Sequence, residues 1–308
     1  MMKKNLIETA IKEMQKKLTG KLGAAFDDLE TDESVVFNGN TVFPMASIFK
    51  IFVLAELYRR IDQGTISPDQ RFPLSKDFKS AGSGVVFLMD DGADLTVHDY
   101  ALLMMMISDN TSADLLYRLV GKENIEQNVI RPLGLTHTKI DFSCSDLFTY
   151  YCNTKPTQSL EEKNRAYFLG DYHNSPWHAC TTAKNDETTP MEINKMLKTI
   201  YHHQWCNEAT CDQILDIMKK CQTNSRIPKY LPKGIEVAHK TGTFDRLSND
   251  AGIVYTEKGN YVLSLFYNGN LADENEYYHL NEKGFYGDEA LATLSRQIYD
   301  IYTGVGKV

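Results

Sequence analysis

Apolar positions along the chain alternate between helical and strand-like spacing, and the strand-like stretches fall at its two ends. Residues 5–18 place Leu6, Ile7, Ile11, Met14 and Leu18 at helical spacing, with lysines opposite, which predicts an amphipathic helix. Residues 22–29 and 35–37 read as strands, followed by turn chemistry at Asn38-Gly39-Asn40. The stretch Pro44-Met45-Ala46-Ser47-Ile48-Phe49-Lys50 then leads into the apolar run Ile51-Phe52-Val53-Leu54-Ala55-Glu56-Leu57. It predicts a buried helix that opens near Ser47 and ends near Gly64. Residues 65–94 are loop-rich. Leu95-Thr96-Val97-His98-Asp99 opens an apolar helix over 100–107, whose three consecutive methionines read as core. Further helices are predicted over 111–119, 124–130, 190–203 and 208–222, and a short extended piece over 138–142.

Residues 143–187 differ from the rest. They are rich in aromatics, Asn, Thr and Cys without a sustained period, which predicts a long, partly ordered excursion. Strands are predicted over 235–240, 251–256 and 261–267, with Lys258-Gly259-Asn260 turning between the last two, and a helix over 287–302 closes the chain. Joining the end strands into one sheet gives a helix-covered sheet with an inserted all-helical part.

Composition narrows the function classes. The chain has 308 residues, 42% hydrophobic and 24% charged, with net charge −8. That is enough apolar mass for a sizeable core. No basic stripe recommends nucleic acid, and no run approaches the ~20 apolar residues of a membrane span. The N-terminus, Met1-Met2-Lys3-Lys4-Asn5-Leu6-Ile7-Glu8, has charges but no apolar signal core. The expected location is therefore cytoplasmic for the sequence as it stands, and periplasmic or extracellular for a trimmed form. Six cysteines, Cys144, Cys152, Cys180, Cys206, Cys211 and Cys221, show neither a C-x-x-C pair nor zinc spacing. Free thiols, no metal and no organic cofactor are expected, and the chain is expected to be a monomer.

The candidate chemistry begins with Ser47 and Lys50. Residues three apart share one helix face, so hydroxyl and amine can meet there. A desolvated lysine can serve as the base that a serine nucleophile needs, and free backbone N–H groups at a helix start can hold an oxyanion. S-x-x-K alone arises about once by chance in a chain this long. Two further motifs change the odds. Ser108-Asp109-Asn110 lies at the joint of two predicted helices, and Lys240-Thr241-Gly242, with Thr243 after it, ends a predicted strand.

These three motifs in this order resemble those of the class A β-lactamase superfamily of penicillin-recognising serine enzymes. The resemblance covers nearly the whole chain, with support from Leu95 to Tyr100 before the S-D-N run and Thr188-Thr189-Pro190 before a helix. It implies an α+β fold of the β-lactamase/transpeptidase kind, an α/β/α sandwich. A five-stranded antiparallel sheet is built from both chain ends and covered by helices, with an inserted all-helical subdomain. The expected organisation is one domain over 1–308. Its sheet part spans about 1–60 and 232–308, and its helical part about 61–231, with the atypical excursion at 143–187.

The resemblance also assigns roles. Ser47 is the acylated nucleophile, Lys50 accepts its proton, and Ser108 passes a proton to the departing nitrogen. Asn110 meets the substrate's side-chain carbonyl, and Asp109 holds the turn. Lys240, Thr241 and Arg246 bind the substrate carboxylate, and Gly242 leaves the strand edge open for a substrate backbone. The backbone N–H groups of Ser47 and Thr243 form the oxyanion hole. His239 packs on the other face of the sheet.

The resemblance breaks at one place. Class A enzymes activate the hydrolytic water with a glutamate that precedes Leu by three residues and Asn by four. After Ile140-Asp141-Phe142 this chain continues Ser143-Cys144-Ser145-Asp146-Leu147-Phe148, without a glutamate. Asp146 is the nearest acid but is shorter and out of register, and Glu161, Glu162 and Glu187 serve only if the excursion folds back over the site. Three functions follow from the resemblance. The first is a β-lactamase-like hydrolase of β-lactams, amides or esters with slow deacylation. The second is a D-Ala-D-Ala carboxypeptidase or small-ester hydrolase. The third is a penicillin-binding sensor that stays acylated.

Overall fold

The computed structural model describes residues 2–31, 33–151, 155, 157–169, 185–244, 246–269 and 287–305. In chain order the elements are α1 (Met2–Lys17), β1 (Lys21–Asp28), β2 (Ser34–Phe37), β3 (Phe43–Pro44), a 3-10 turn (Ala46–Phe49), α2 (Lys50–Asp62), β4 (Arg71–Pro73), β5 (Asp94–Thr96), α3 (Val97–Met106) and α4 (Asn110–Val120). They continue as α5 (Lys122–Ile125, extended by a π-turn to Ile130), α6 (Cys144–Tyr151), α7 (Leu160–Leu169), β6 (Glu187–Thr188), α8 (Pro190–Tyr201), α9 (Glu208–Met218), β7 (Val237–Phe244), β8 (Leu247–Val254), β9 (Tyr261–Asn268) and α10 (Gly287–Thr303).

The large sheet has the order β2-β1-β9-β8-β7, with every neighbouring pair antiparallel. Both chain ends build it, as expected. One face is covered by α1 and α10, whose Ile7, Ile11, Leu291, Leu294 and Ile298 share a core with the strands. A larger core on the other face takes in α2, α3, α4, α8 and α9. Helix α2 lies at its centre. Every residue from Lys50 to Tyr58 is buried there, as its continuous apolar run requires.

Local chemistry fixes the elements next to the site. Thr96 caps α3 with a reciprocal pair, its hydroxyl accepting from Asp99 N at 3.0 Å while Asp99 Oδ2 accepts from Thr96 N at 2.9 Å. Thr189 caps α8, with Pro190 in the first turn, where a missing N–H costs nothing.

The structure corrects several boundaries. The strand carrying Lys240 does not end there. Thr241, Gly242 and Thr243 pair with Asp250, Asn249 and Ser248, so the whole motif lies inside edge strand β7. Short polar residues read locally as a strand end, and the β8 ladder carries pairing through them. Residues 138–142 are not a strand but a single bridge from Lys139 to Glu187. The loop-rich stretch 65–94 contains β4, which pairs with β5. The excursion is more regular than its lack of period implied, since its described part holds α6 and α7.

Candidate active site

Ser47 sits half-buried on the 3-10 turn before α2 rather than on the α-helix itself. Three ties hold that turn. Met45 N donates to Asp186 O at 2.8 Å, and Asn249 Nδ2 donates to Pro44 O at 2.9 Å. From the other side β7 comes so close that a Cβ on Gly242 would lie 2.4 Å from Met45 O. Glycine at 242 is thus demanded by contact with the turn, and among the described residues β7 is the last strand of the sheet. Ala46 takes φ +46 and Ser108 φ +59. Non-glycine residues there carry strain of about 1–3 kcal/mol each, a cost that clusters at functional sites.

Ser108 lies between α3 and α4, and its neighbours explain how that turn is held. Asp109 accepts from Ser112 N at 2.8 Å, Val85 N at 2.7 Å and Val86 N at 2.9 Å. Asp109 therefore holds the turn. Gly84, at φ +108, packs where a Cβ would meet the Asp109 carboxylate.

Two buried lysines converge on the Ser108 hydroxyl. Lys50 Nζ donates to Ser108 Oγ at 3.1 Å, Ser108 O at 2.7 Å and Asn110 Oδ1 at 2.9 Å. Lys240 Nζ donates to the same Oγ at 3.0 Å and to Thr241 O at 2.8 Å. A hydroxyl has two acceptor sites and one donor. With an ammonium on each acceptor site, the Ser108 proton is left to point elsewhere.

Charge follows burial. Desolvation lowers Lys50 below the usual lysine value, against the charges of Cys144, Asp109 and Asp114. Lys240 falls to about 7, through burial first and then the Lys50 charge. As an ammonium, Lys50 spends all three donors on Ser108 and Asn110. It accepts a proton only from its neutral form, the form that burial favours.

The remaining predicted residues take these places. Asn110 is buried, giving Oδ1 to Lys50 and Nδ2 to Ala81 O at 2.9 Å. Thr241 is buried in β7, and Thr243 is exposed near its end. Arg246 stands between β7 and β8 with φ +56, its carbonyl accepting from Gly269 N at 2.7 Å. His239 is buried on the opposite face of β7 from Ala238 and pairs with Asp250.

Two groups escaped the sequence reading. Arg226, almost wholly buried, donates to Thr243 Oγ1 at 2.6 Å, Gly242 O at 3.0 Å, Asn249 O at 2.6 Å and Asp288 Oδ1 at 2.7 Å. It places a cation against the end of the K-T-G-T strand. No local pattern marks it, because only tertiary folding brings the stretch after α9 to β7.

The second group is Cys144. It precedes Leu147 by three residues, the spacing that the class A glutamate has to its leucine, and this was the signal that could have found it. Its thiol is buried, pushed well above its ordinary value by desolvation, and within electrostatic range of Lys50. Beneath it Asp114 is fully buried and accepts from Cys144 N at 2.6 Å, Ser145 N at 2.9 Å and Ser80 Oγ at 2.5 Å. Burial raises the Asp114 pKa, against those donors and the Lys50 charge.

The acids of the excursion lie elsewhere. Asp146 is exposed and caps α6 through Ser143 N at 3.0 Å and Oγ at 2.7 Å. Glu161 and Glu162 are exposed, and Glu187 is half-buried in β6. The excursion does reach the site region. Phe148 packs on Gly82, and Gly82 N donates to Asn164 Oδ1 of α7 at 3.0 Å. Cys144, Cys206, Cys211 and Cys221 are free, whereas Cys152 and Cys180 lie outside the described residues.

Comparison with known proteins shows the family and the fold. A family model described as the β-lactamase enzyme family matches residues 6–302. β-Lactamase VEB-1 of Pseudomonas aeruginosa is 24% identical over 285 residues, 89% of this chain and 84% of its own. Among solved structures, a β-lactamase from Sphaerobacter thermophilus superposes with TM-score 0.76 at 24% identity, covering 97% of both chains. A variant of PBP-A, solved as an acyl-enzyme complex with penicillin G, superposes with TM-score 0.76 at 22% identity, covering 98% of this chain and 97% of its own.

Proposed function

The chain belongs to the β-lactamase enzyme family, and from that premise we propose that it is a serine hydrolase that opens β-lactams through an acyl-enzyme on Ser47. The observation that carries this reading is the Ser108 hydroxyl held between Lys50 and Lys240. Neutral Lys50 takes the Ser47 proton, directly or through water, as Oγ bonds to the lactam carbonyl carbon. The developing oxyanion is held by the Ser47 and Thr243 backbone N–H groups. The C–N bond breaks as Ser108 gives its proton to the departing nitrogen and is reprotonated from the lysines beside it. Lys240, Thr241 and Thr243 meet the substrate carboxylate. Arg226 supports them by fixing the Thr243 hydroxyl, and Arg246 stands as a second anchor at the strand end.

Deacylation is the slow step in this proposal. A protonated thiol at Cys144 cannot take a proton from water, and Asp114 already accepts three hydrogen bonds. That observation also favours a second reading, in which the protein is acylated by penicillins and turns over simple esters or D-Ala-D-Ala peptides faster. Both readings are tested by intact mass after brief incubation with a penicillin or a cephalosporin, read beside loss of free drug. An adduct of one whole drug molecule that lasts for hours is expected, and none on Ser47→Ala. An adduct on Ser47→Ala refutes the nucleophile. Rapid drug loss without adduct refutes slow deacylation.

A further inference from the structure

Residues 80–84 are tied to Asn110 on one side and to the excursion on the other. Asn110 donates Nδ2 to Ala81 O at 2.9 Å and its backbone N to Ser83 O at 2.9 Å, while its Oδ1 accepts from Lys50 Nζ at 2.9 Å. On the other side, Gly82 N donates to Asn164 Oδ1 of α7 at 3.0 Å. Excursion and site come together at this point. A Cβ on Gly82 would lie 2.6 Å from the Phe148 ring of α6 and 2.9 Å from Asn110 Nδ2. Only the oxygen of a side-chain amide accepts, so Asn164 serves Gly82 N through Oδ1 alone, and Asn110 cannot flip without turning its NH2 on the Lys50 ammonium.

We infer that, given the acyl-enzyme on Ser47 proposed above, Asn164 is a positioning residue for acylation, acting through the Ala81–Gly82 peptide and Asn110 on Lys50. Ala81 O and Gly82 N belong to one planar peptide unit, with its N–H bonded to Asn164 and its C=O bonded to Asn110. A tilt that frees the N–H therefore also swings the carbonyl away from Asn110. The Asn110 amide then loses the partner that fixes it, and with it the placement of Oδ1 on the lysine. Hydrogen bonds in such a series also polarise one another.

The consequence reaches the charge on Lys50. Its ammonium has Ser108 O, Ser108 Oγ and Asn110 Oδ1 as acceptors. Acceptors of the charged form favour that form, so a slackened Asn110 contact lowers the lysine further below its ordinary value. Asp109, Asp114 and Cys144 also act on this charge, and Lys240 faces it across the Ser108 hydroxyl. None of these groups is altered by a substitution at 164.

The test follows acylation of the whole chain by a chromogenic cephalosporin in stopped flow, between pH 5 and pH 9. In Asn164→Ala the maximal second-order rate is expected to fall about tenfold, the effect of one ordinary hydrogen bond. The acid limb of the profile, set by neutral Lys50 as base, is expected to move to lower pH. Asn164→Asp keeps an acceptor for Gly82 N and is expected to stay near the wild-type rate. A wild-type rate and limb in Asn164→Ala overturn the assignment. So does a slowed Asn164→Ala whose limb stays in place, because loss of folded protein lowers the rate without moving the limb. An Asn164→Asp as slow as Asn164→Ala overturns it too. Should Asn164→Ala not fold, Asn164→Leu is judged by the same outcomes. A wild-type chain that is not acylated at all refutes the acyl-enzyme itself, and the role of Asn164 with it.

Discussion

Two regions border Ser47, and they differ in the state of their protons. On the side of α4 and β7, the buried Lys50 and Lys240 both donate to the Ser108 hydroxyl oxygen, and burial lowers the pKa of each lysine. On the side of α6, a raised thiol and a carboxylate with three donors face the same lysine. In the proposed reaction the first region moves protons, and the second keeps them where they are. On the proposed reading, the first region carries the groups for forming an acyl-enzyme, while Cys144 and Asp114 in the second do not serve as the base that hydrolyses it.

The sharpest way to break this comparison is to remove the shared hydroxyl. Ser108→Ala should slow acylation by about 10²–10⁴-fold, the usual contribution of a positioned acid or base, read by stopped-flow with a chromogenic cephalosporin. An unchanged rate would remove Ser108 from proton transfer. The converse experiment supplies a base. Cys144→Glu should shorten the life of the adduct about 100-fold, read as steady-state turnover. An adduct that persists as before would place the missing step elsewhere.

The charge of Lys240 gives a third handle. Its pKa of about 7 means that the cation proposed to meet the substrate carboxylate is lost as pH rises through about 7. The second-order acylation rate for a penicillin should therefore fall above neutrality, up to about tenfold per pH unit. Lys240→Arg should keep it flat to higher pH, and a wild-type profile flat from pH 6 to 9 would contradict this.

Smaller effects concern stability. Asp114→Asn removes one acceptor where three donors meet, and should cost about 1–3 kcal/mol in denaturant unfolding. Asp186 is fully buried. Its Oδ1 accepts from Asp141 N and Phe142 N, while Oδ2 has no hydrogen-bond partner. Burial raises its pKa well above the usual carboxylate value. The folded state then holds a proton that the unfolded state gives up, so stability falls as pH climbs from about 4 toward the raised value. Asp186→Asn should weaken that slope and gain about 1 kcal/mol at pH 7. Equal slopes in the two proteins would show that Asp186 is ionised when folded.

What the sequence determined by itself is what repeats along the chain or sits in short, fixed spacing. The period of Leu6, Ile7, Ile11 and Met14 places α1, because burying one helical face needs only that spacing. The unbroken apolar run after Lys50 marks the central helix, and Ser47, Lys50, Ser108 and Lys240 stand out as motifs before any fold is known. Tertiary structure decided what depends on partners far apart in the chain. Strand pairing with Ser248, Asn249 and Asp250 carried β7 through Thr241, Gly242 and Thr243, against their local character. Folding also brought Arg226 to Thr243, set Cys144 and Asp114 beneath Lys50, and gave the excursion two helices without a clear period of their own. The physical reason is that periodicity records how one element meets the core. Desolvation and hydrogen bonding at a site depend instead on what the other elements bring to it.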